Sequence, residues 1–293
     1  MNADSDIEDS KAPLMEHIIE FRNRLVYSVV ALLIAFVLCY IIAPELFSFL
    51  VRPLVEAFGD DIEGRRMIFT GLHEAFFTNI KIAFFVALFV SFPVISIQIW
   101  AFVAPGLYKH EKKAFLPFLV ATPILFFMGG ALAYGLVMPL AWKFLLSFES
   151  NGSSSLYADA FRATIAQFPV MQQYLPTPSA PLALPIQAET RVSEYLSLSM
   201  KLIFAFGLCF QLPVLLTLLG RVGIVSSKGL KAKFKYAVVF SFIAAAVLTP
   251  PDPLSQISLA IPIIILYGIS ILSVRLVEKK REKRDAELDE EDD

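Results

Sequence analysis

The chain has 293 residues, of which 57% are hydrophobic. Its mean hydropathy is +0.66, and the charged residues stand in short clusters between long apolar runs. This composition excludes a soluble globular domain and is typical of a polytopic membrane protein. The formal net charge of -2 gives no basis for a nucleic-acid partner, and we expect none. Cys39 and Cys209 stand alone in separate apolar runs, which argues against a metal site, a redox motif or a disulfide scaffold.

The N-terminal segment is acidic, and no small-residue cleavage signature follows the first apolar run. It therefore does not resemble a secretory signal peptide, and we expect the first span to be uncleaved. Residues 1–24 are predicted to form an N-terminal arm, residues 25–276 a transmembrane domain and residues 277–293 a charged tail.

Six stretches come near the roughly 20 apolar residues that a helix needs to cross a bilayer core. They are residues 25–42, 75–100, 116–148, 195–219, 236–249 and 254–276. These stretches predict an all-α integral membrane protein with six transmembrane helices. The third is too long for one straight span and contains three prolines, which predict a bend. The fifth, with about 14 residues, covers only about 21 Å, so the bilayer around it is hypothesised to be locally thin.

The distribution of Lys and Arg predicts the orientation of these spans. One set of connectors carries three in the N-terminal arm, three after the second span, five from 221 to 235 and six from 275 to 284. The opposite connectors carry six altogether. Basic residues accumulate on the cytoplasmic side, so both termini are predicted to be cytoplasmic.

The predicted outer connectors are residues 43–74, 149–193 and 250–253. The first contains PELFSFLVRPLVEAF, whose apolar residues recur at helical spacing, as expected of an amphipathic helix lying in the membrane interface. Pro53 is expected to bend this helix. The second is rich in Ser, Pro and Ala and is predicted to be a long, partly irregular loop.

Sequence signatures of catalysis are missing. The chain has no phosphate-binding Gly-rich loop, no Gly-x-Ser-x-Gly elbow and no His-Glu-x-x-His pair, so we expect neither an enzyme nor a cofactor. A proton-coupled secondary transporter of small solutes is the alternative function from another class. It normally needs acids within the membrane, and these spans have almost none. Lys81 and Lys201 lie near the predicted outer ends of their spans, where they can snorkel.

Five motifs resemble the TatC family, the receptor subunit of the twin-arginine protein translocase. They run through nearly the whole chain: HIIEFRNRL, RPL, IQIWAFVAPGLYKHEKK, YLSLSMKLIFAFGLCFQLPV and LTPPDPLSQISLAIP. The loop with GLYKHE and the TPPD turn are the most specific of them. The resemblance implies a multi-pass protein of the bacterial inner membrane that binds twin-arginine signal peptides of folded cargo.

The resemblance also implies partners and site residues. The partners would be single-span subunits of the TatA and TatB type, with self-association in the receptor complex and transport driven by the proton-motive force. The signal-peptide site on the cytoplasmic face would include Glu20, Arg22, Phe102 and Glu111. Three further residues match positions that the family uses for partner contact or structure, namely Pro53, Gln211 and Asp252.

Each of these residues has a simpler interpretation. Glu20 can pair with Arg24 one turn later, and Glu111 can offset the lysines around it. Phe102 can be an interfacial aromatic. Asp252 precedes a proline as an N-cap precedes the first helical position, so it can simply start the last span.

The chain also departs from the family pattern. Gln211 replaces a Glu that is common in the family, which puts in doubt any mechanism that needs a titratable group there. Phe21 replaces the usual Leu, and the connector 149–193 is longer than is typical. We expect the Gln211 amide to face another helix, of a partner subunit, rather than lipid. A third interpretation of the chain, an assembly scaffold without a peptide site, predicts no binding of a twin-arginine peptide.

Overall fold

A computed structural model describes residues 3–59, 65–107, 116–146, 189–248 and 253–291. Glu111, Asp252 and most of the predicted outer connector 149–193 lie outside this part of the chain. The described part is almost entirely helical. Its helices are α1 Ala3–Ile41, α2 Ala43–Phe58, α3 Glu74–Leu107, α4 Leu116–Leu132, α5 Met138–Leu146, α6 Val192–Cys209, α7 Leu212–Val222, α8 Ser227–Ala232, α9 Phe234–Leu248 and α10 Pro253–Glu291.

Among the described residues, five helical stretches are long and apolar enough to cross a membrane. They are His17–Ile41, Glu74–Phe102, Pro117–Leu146, Val192–Val222 and Gln256–Arg281. A sixth apolar helix, α9, has only 15 residues. These helices coincide with the six apolar stretches of the sequence, and the fifth stretch is a short apolar helix, as predicted.

Two spans are interrupted helices. The third changes register at a π-helical turn, Ala133–Val137, which joins α4 to α5. The fourth ends one helix at Cys209 and begins the next at Leu212. Pro213 lacks the N–H that would continue the helix, which accounts for the break between α6 and α7.

The predicted arm and first span are one continuous helix, α1, which begins 22 residues before the apolar run. The helix therefore extends well beyond the part that hydropathy marks. The predicted amphipathic helix of the first outer connector is confirmed as α2, which contains Pro53 in its interior.

One small element departs from an all-α fold. Strands β1, Met67–Ile68, and β2, Thr190–Arg191, pair in parallel with Met67 opposite Thr190. This pair joins the connector before α3 to the residues before α6. A strand of two residues has no periodicity that a sequence can reveal.

The helices pack around a core that includes Leu50, Phe126, Met138 and Phe206. Helix α1 lies against α3, α4 against α6, and both α7 and α9 against α10. Close approach of α4 and α6 depends on Gly129, because a Cβ there would stand 2.6 Å from the carbonyl oxygen of Phe206. Helix α2 lies on α3 and α5 at the end of the bundle where α1 ends.

Candidate functional site

Four residues of HIIEFRNRL share one face of α1. His17, Glu20, Phe21 and Arg24 follow the i, i+3, i+4, i+7 spacing, which brings side chains to one side of a helix. This face meets α3 near its C-terminal end, where Gln98 and Phe102 contact it. The charged and aromatic side chains of this face form the candidate peptide site.

Glu20 is held by Arg24 one turn later. Its Oε1 accepts hydrogen bonds from both Nη2 of Arg24, at 2.6 Å, and Nε, at 2.9 Å. Nη1 of Arg24 reaches Oε1 of Gln98 at 3.5 Å, which connects the pair to α3. Oε2 of Glu20 stands 4.0 Å from Nδ1 of His17. The pair offered above as the simpler interpretation of Glu20 is therefore present, but it uses only one carboxylate oxygen.

An aromatic cluster borders this carboxylate. The His17 ring stacks on Phe102 with centroids 4.3 Å apart and planes 18° apart. Phe21 meets the same Phe102 ring at 5.3 Å in a tilted arrangement. The Phe21 that departs from the family's usual Leu thus adds an aromatic face to the site. Phe102 links α3 to α1 rather than standing alone at the interface.

Arg22 lies on another face of α1. Its Nη2 and Nε donate to Oδ1 of Asn23 at 3.1 and 3.3 Å, and its side chain is exposed. The structure therefore brings Glu20 and Phe102 together but does not bring Arg22 to them. His17, Arg24 and Gln98 were not singled out from the sequence as site residues, although the helical spacing from Glu20 marks the first two.

Gln211 stands at the break between α6 and α7. Its Nε2 donates to the carbonyl oxygen of Thr122 on α4 at 3.0 Å. The Thr122 hydroxyl accepts from Nε1 of Trp100 at 2.8 Å and donates to the Phe118 carbonyl. The amide nitrogen of Gln211 thus bonds to another helix, α4 of the same chain, and the expected contact with a partner subunit stays a prediction. Its Oε1 is buried and has no hydrogen-bond donor among the described residues.

Pro53 is fully buried in α2, on the side that faces the bundle. Its neighbours in α2, Leu50 and Leu54, belong to the core. Asp252 lies outside the described residues, immediately before α10. Of the three residues expected in partner contact or structure, two are therefore placed inside the chain's own packing.

The fold and this site define a class. A bundle of long apolar helices, with a carboxylate and stacked aromatic rings at one end, is that of a polytopic helical membrane protein. Within the part of the chain that the structure describes, no cluster of His, Cys, Asp and Glu has the arrangement of a metal site.

Comparisons with known proteins identify the family. Residues 16–262 match the sequence model of the family described as Sec-independent protein translocase protein (TatC). The TatC protein of Magnetococcus marinus is 48% identical over 281 residues, which are 96% of this chain and 90% of the relative. That of Escherichia coli strain K12 is 35% identical over 95% of this chain and 94% of the relative. The chain therefore belongs to the TatC family.

A solved structure agrees with this assignment. A crystal structure of the twin arginine translocase receptor TatC matches with a TM-score of 0.67 and 32% sequence identity. The match covers 89% of this chain and 99% of the other. The resemblance seen in the five sequence motifs is thus confirmed. The family is a membrane component of a protein translocase and is not a known enzyme family.

Proposed function

We propose that this chain is the receptor and core scaffold subunit of the twin-arginine translocase. It binds twin-arginine signal peptides of folded cargo at the cytoplasmic face and organises TatA-type and TatB-type single-span subunits for export driven by the proton-motive force. It lies in the bacterial inner membrane with six spans and both termini cytoplasmic, and it self-associates in the receptor complex. Membership of the TatC family and the distribution of basic residues support this proposal.

The main observation that supports a peptide site is how the two carboxylate oxygens of Glu20 are occupied. Arg24 occupies Oε1, and Oε2 is left beside the stacked rings of His17 and Phe102. An arginine fork on a peptide is best matched by a carboxylate that is partly withdrawn from water. The side chains of Glu20 and Arg24 are only 34% and 27% exposed, so the pair is partly sheltered.

The aromatic faces supply a second kind of contact. Guanidinium groups stack favourably on aromatic rings, and apolar side chains that follow the arginine pair pack against them. Phe21 and Phe102 offer such faces next to Glu20. Glu111, which follows the end of α3 in sequence, is proposed as the second acceptor, because two adjacent arginines need two carboxylates.

Four other residues complete the proposal. Arg22 is exposed one residue along α1 from Phe21, and we assign it to the rim of the peptide site. Pro53, Gln211 and Asp252 are assigned to partner contact or to structure. The internal contacts of Pro53 and Gln211 favour structure for these two.

Binding of a labelled peptide containing Ser-Arg-Arg-x-Phe-Leu-Lys to the purified full-length protein tests the proposal. We expect the Arg-Arg peptide to bind at least about tenfold more tightly than its Lys-Lys counterpart, because lysine lacks the planar fork. Glu20→Gln is expected to weaken binding of the Arg-Arg peptide by about tenfold, because a hydrogen bond to a charged group is lost. Glu111→Lys is expected to abolish both this preference and export of twin-arginine cargo, while the protein still inserts and assembles.

Glu45→Gln is the matched control, since Glu45 is an exposed carboxylate at the start of α2, at the far end of α1. It is expected to leave binding unchanged. No binding of the Arg-Arg peptide by the unmodified protein would show an assembly scaffold without a peptide site, and equal binding of the Arg-Arg and Lys-Lys peptides would contradict a site that selects for arginine. Solute flux through the isolated protein in liposomes would instead favour a secondary transporter.

A further inference from the structure

Helix α2 contains a backbone carbonyl that has lost its regular donor. In an α-helix the carbonyl of residue 49 accepts from the N–H of residue 53. Residue 53 is proline and has no N–H. Pro53 is fully buried, whereas Phe49 is 56% exposed, so the Phe49 carbonyl lies at the surface of the described fold. A carbonyl that lacks its helical donor is paired instead with a side chain within reach or with solvent.

Tyr134 supplies that donor. Its hydroxyl donates to the carbonyl oxygen of Phe49 at 2.8 Å, and its ring stacks on Phe49 with centroids 4.5 Å apart and planes 4° apart. Tyr134 belongs to the π-helical turn Ala133–Val137 between α4 and α5. A π turn inserts one extra residue into a helix and so changes the direction of the side chains around it. Such turns are frequent at functional sites.

The next carbonyl of α2 has a different status. The Leu50 carbonyl accepts from the hydroxyl of Tyr195 at 2.7 Å, and Tyr195 is only 3% exposed. The helical donor for this carbonyl is the N–H of Leu54, which proline does not remove. The Tyr195 bond therefore adds to the helical pattern, whereas the Tyr134 bond replaces a missing member of it.

We propose that Tyr134 is a positioning residue whose hydroxyl replaces the amide hydrogen that Pro53 lacks, and that this pairing fixes α2 across the end of the bundle. Pro53 leaves the Phe49 carbonyl without its helical donor, the π turn directs Tyr134 to this carbonyl, and Tyr195 bonds to the carbonyl of the next residue, Leu50. The role assigned to Pro53 is thus a contact within the chain. It does not rest on the peptide site, since Glu20 lies about 30 Å away along α1.

The test is a double-mutant cycle read by hydrogen exchange of the amides of α2 in the purified full-length protein. Tyr134→Phe keeps the stacked ring and removes the hydroxyl, so exchange in α2 is expected to become about fivefold faster. In a Pro53→Ala background the new amide of residue 53 donates to Phe49. The same Tyr134→Phe change is then expected to alter exchange less than about twofold. Coupling of this kind is what a cycle isolates.

Tyr195→Phe is the matched control, because the carbonyl it serves has its own amide donor in both backgrounds. Its effect on exchange is expected to be equal in the unmodified protein and in the Pro53→Ala background. If Pro53→Ala protein is not recovered folded, Pro53→Ser supplies the same amide and completes the cycle. Equal effects of Tyr134→Phe in both backgrounds, or no effect in either, would overturn the proposal. A packing role for the Tyr134 ring alone predicts that second result.

The consequence for transport is measured separately. Tyr134→Phe is expected to reduce export of twin-arginine cargo several-fold, with recovery in the Pro53→Ala background. Binding of the twin-arginine peptide by the same variants is expected to stay within about twofold of the unmodified protein. A loss of peptide binding in Tyr134→Phe would contradict a role confined to α2. Failure of the unmodified protein to bind the peptide would instead count against the proposed function and leave the exchange result standing.

Discussion

Gln211 illustrates how far a single residue can be understood from the sequence. An amide inside an apolar helix needs a hydrogen-bond partner, and this requirement alone predicted that Gln211 faces another helix. The location of that partner was not predictable. The acceptor is a backbone carbonyl on α4, and its approach depends on the break in the fourth span at Phe210 and Gln211. The sequence does not show which backbone carbonyl will accept such a bond, because every residue has one.

The internal bond of Gln211 makes a prediction about the isolated protein. Gln211→Leu removes the donor to Thr122, so the melting temperature of the purified chain without partners is expected to fall by about 2 °C. Thermal unfolding in detergent measures this, and Gln211→Asn serves as a control that retains an amide on a shorter side chain. An unchanged melting temperature together with weaker association of partner subunits would indicate instead that Gln211 acts at a subunit interface.

The candidate site was predictable in part, for a similar reason. Glu20 and Phe102 were identified from the motifs, and the structure brings them together through His17 and Phe21. The contact between α1 and α3 that does so joins residues far apart in the chain, which no local pattern specifies. The same contact places Gln98 beside Arg24.

At the scale of elements, hydropathy located every apolar helix but not its interruptions. Length and apolar content mark a span, because burial in lipid is a property of whole segments. The π turn between α4 and α5 and the break between α6 and α7 instead depend on how single carbonyls are satisfied. Prolines predicted that the third span departs from a straight helix, but the π turn itself has no proline within Ala133–Val137.

Helix α8 is held by α10 through one carboxylate. Oε1 of Glu278 accepts from the backbone N of Ser227 at 2.9 Å, and Oε2 accepts from the Ser227 hydroxyl. The hydroxyl of Tyr267 donates to the Leu230 carbonyl at 3.0 Å, which forms a second attachment. Ser226 caps the same short helix by accepting from the N–H of Gly229. A helix of six residues is not stable alone, so these attachments maintain it.

The attachment through Glu278 can be tested by limited proteolysis. Glu278→Ala removes hydrogen bonds to a charged acceptor, so cleavage by trypsin after Lys228 or Lys231 is expected to become about tenfold faster. Peptide mapping of the folded protein measures the rate. Glu194→Ala, which removes an exposed carboxylate that pairs with Arg191, is expected to leave it unchanged. Unaltered cleavage in Glu278→Ala would show that Tyr267 and Ser226 are sufficient.

At the scale of the whole molecule, the charge distribution and the helix directions both support the proposed topology. Helix α1 runs from the N-terminal arm to α2, and α3 returns with its C-terminal end beside residues 17–24. The connectors assigned to that same side include the exposed lysines of α8 and the basic segment of α10. Basic connectors are retained in the cytoplasm, which is the basis for proposing that the candidate peptide site lies there.

This orientation can be measured with single cysteines in a background that lacks Cys39 and Cys209. Leu72 is fully exposed in the connector before α3, and Ile224 is 70% exposed in the connector after α7. Replacing either residue by cysteine leaves the count of basic residues unchanged, so the charge asymmetry that directs insertion is preserved. Leu72→Cys is expected to react with an impermeant thiol reagent added to intact spheroplasts. Ile224→Cys is expected to react only after lysis, and the reverse pattern would place the peptide site on the wrong side of the membrane for binding cargo before export.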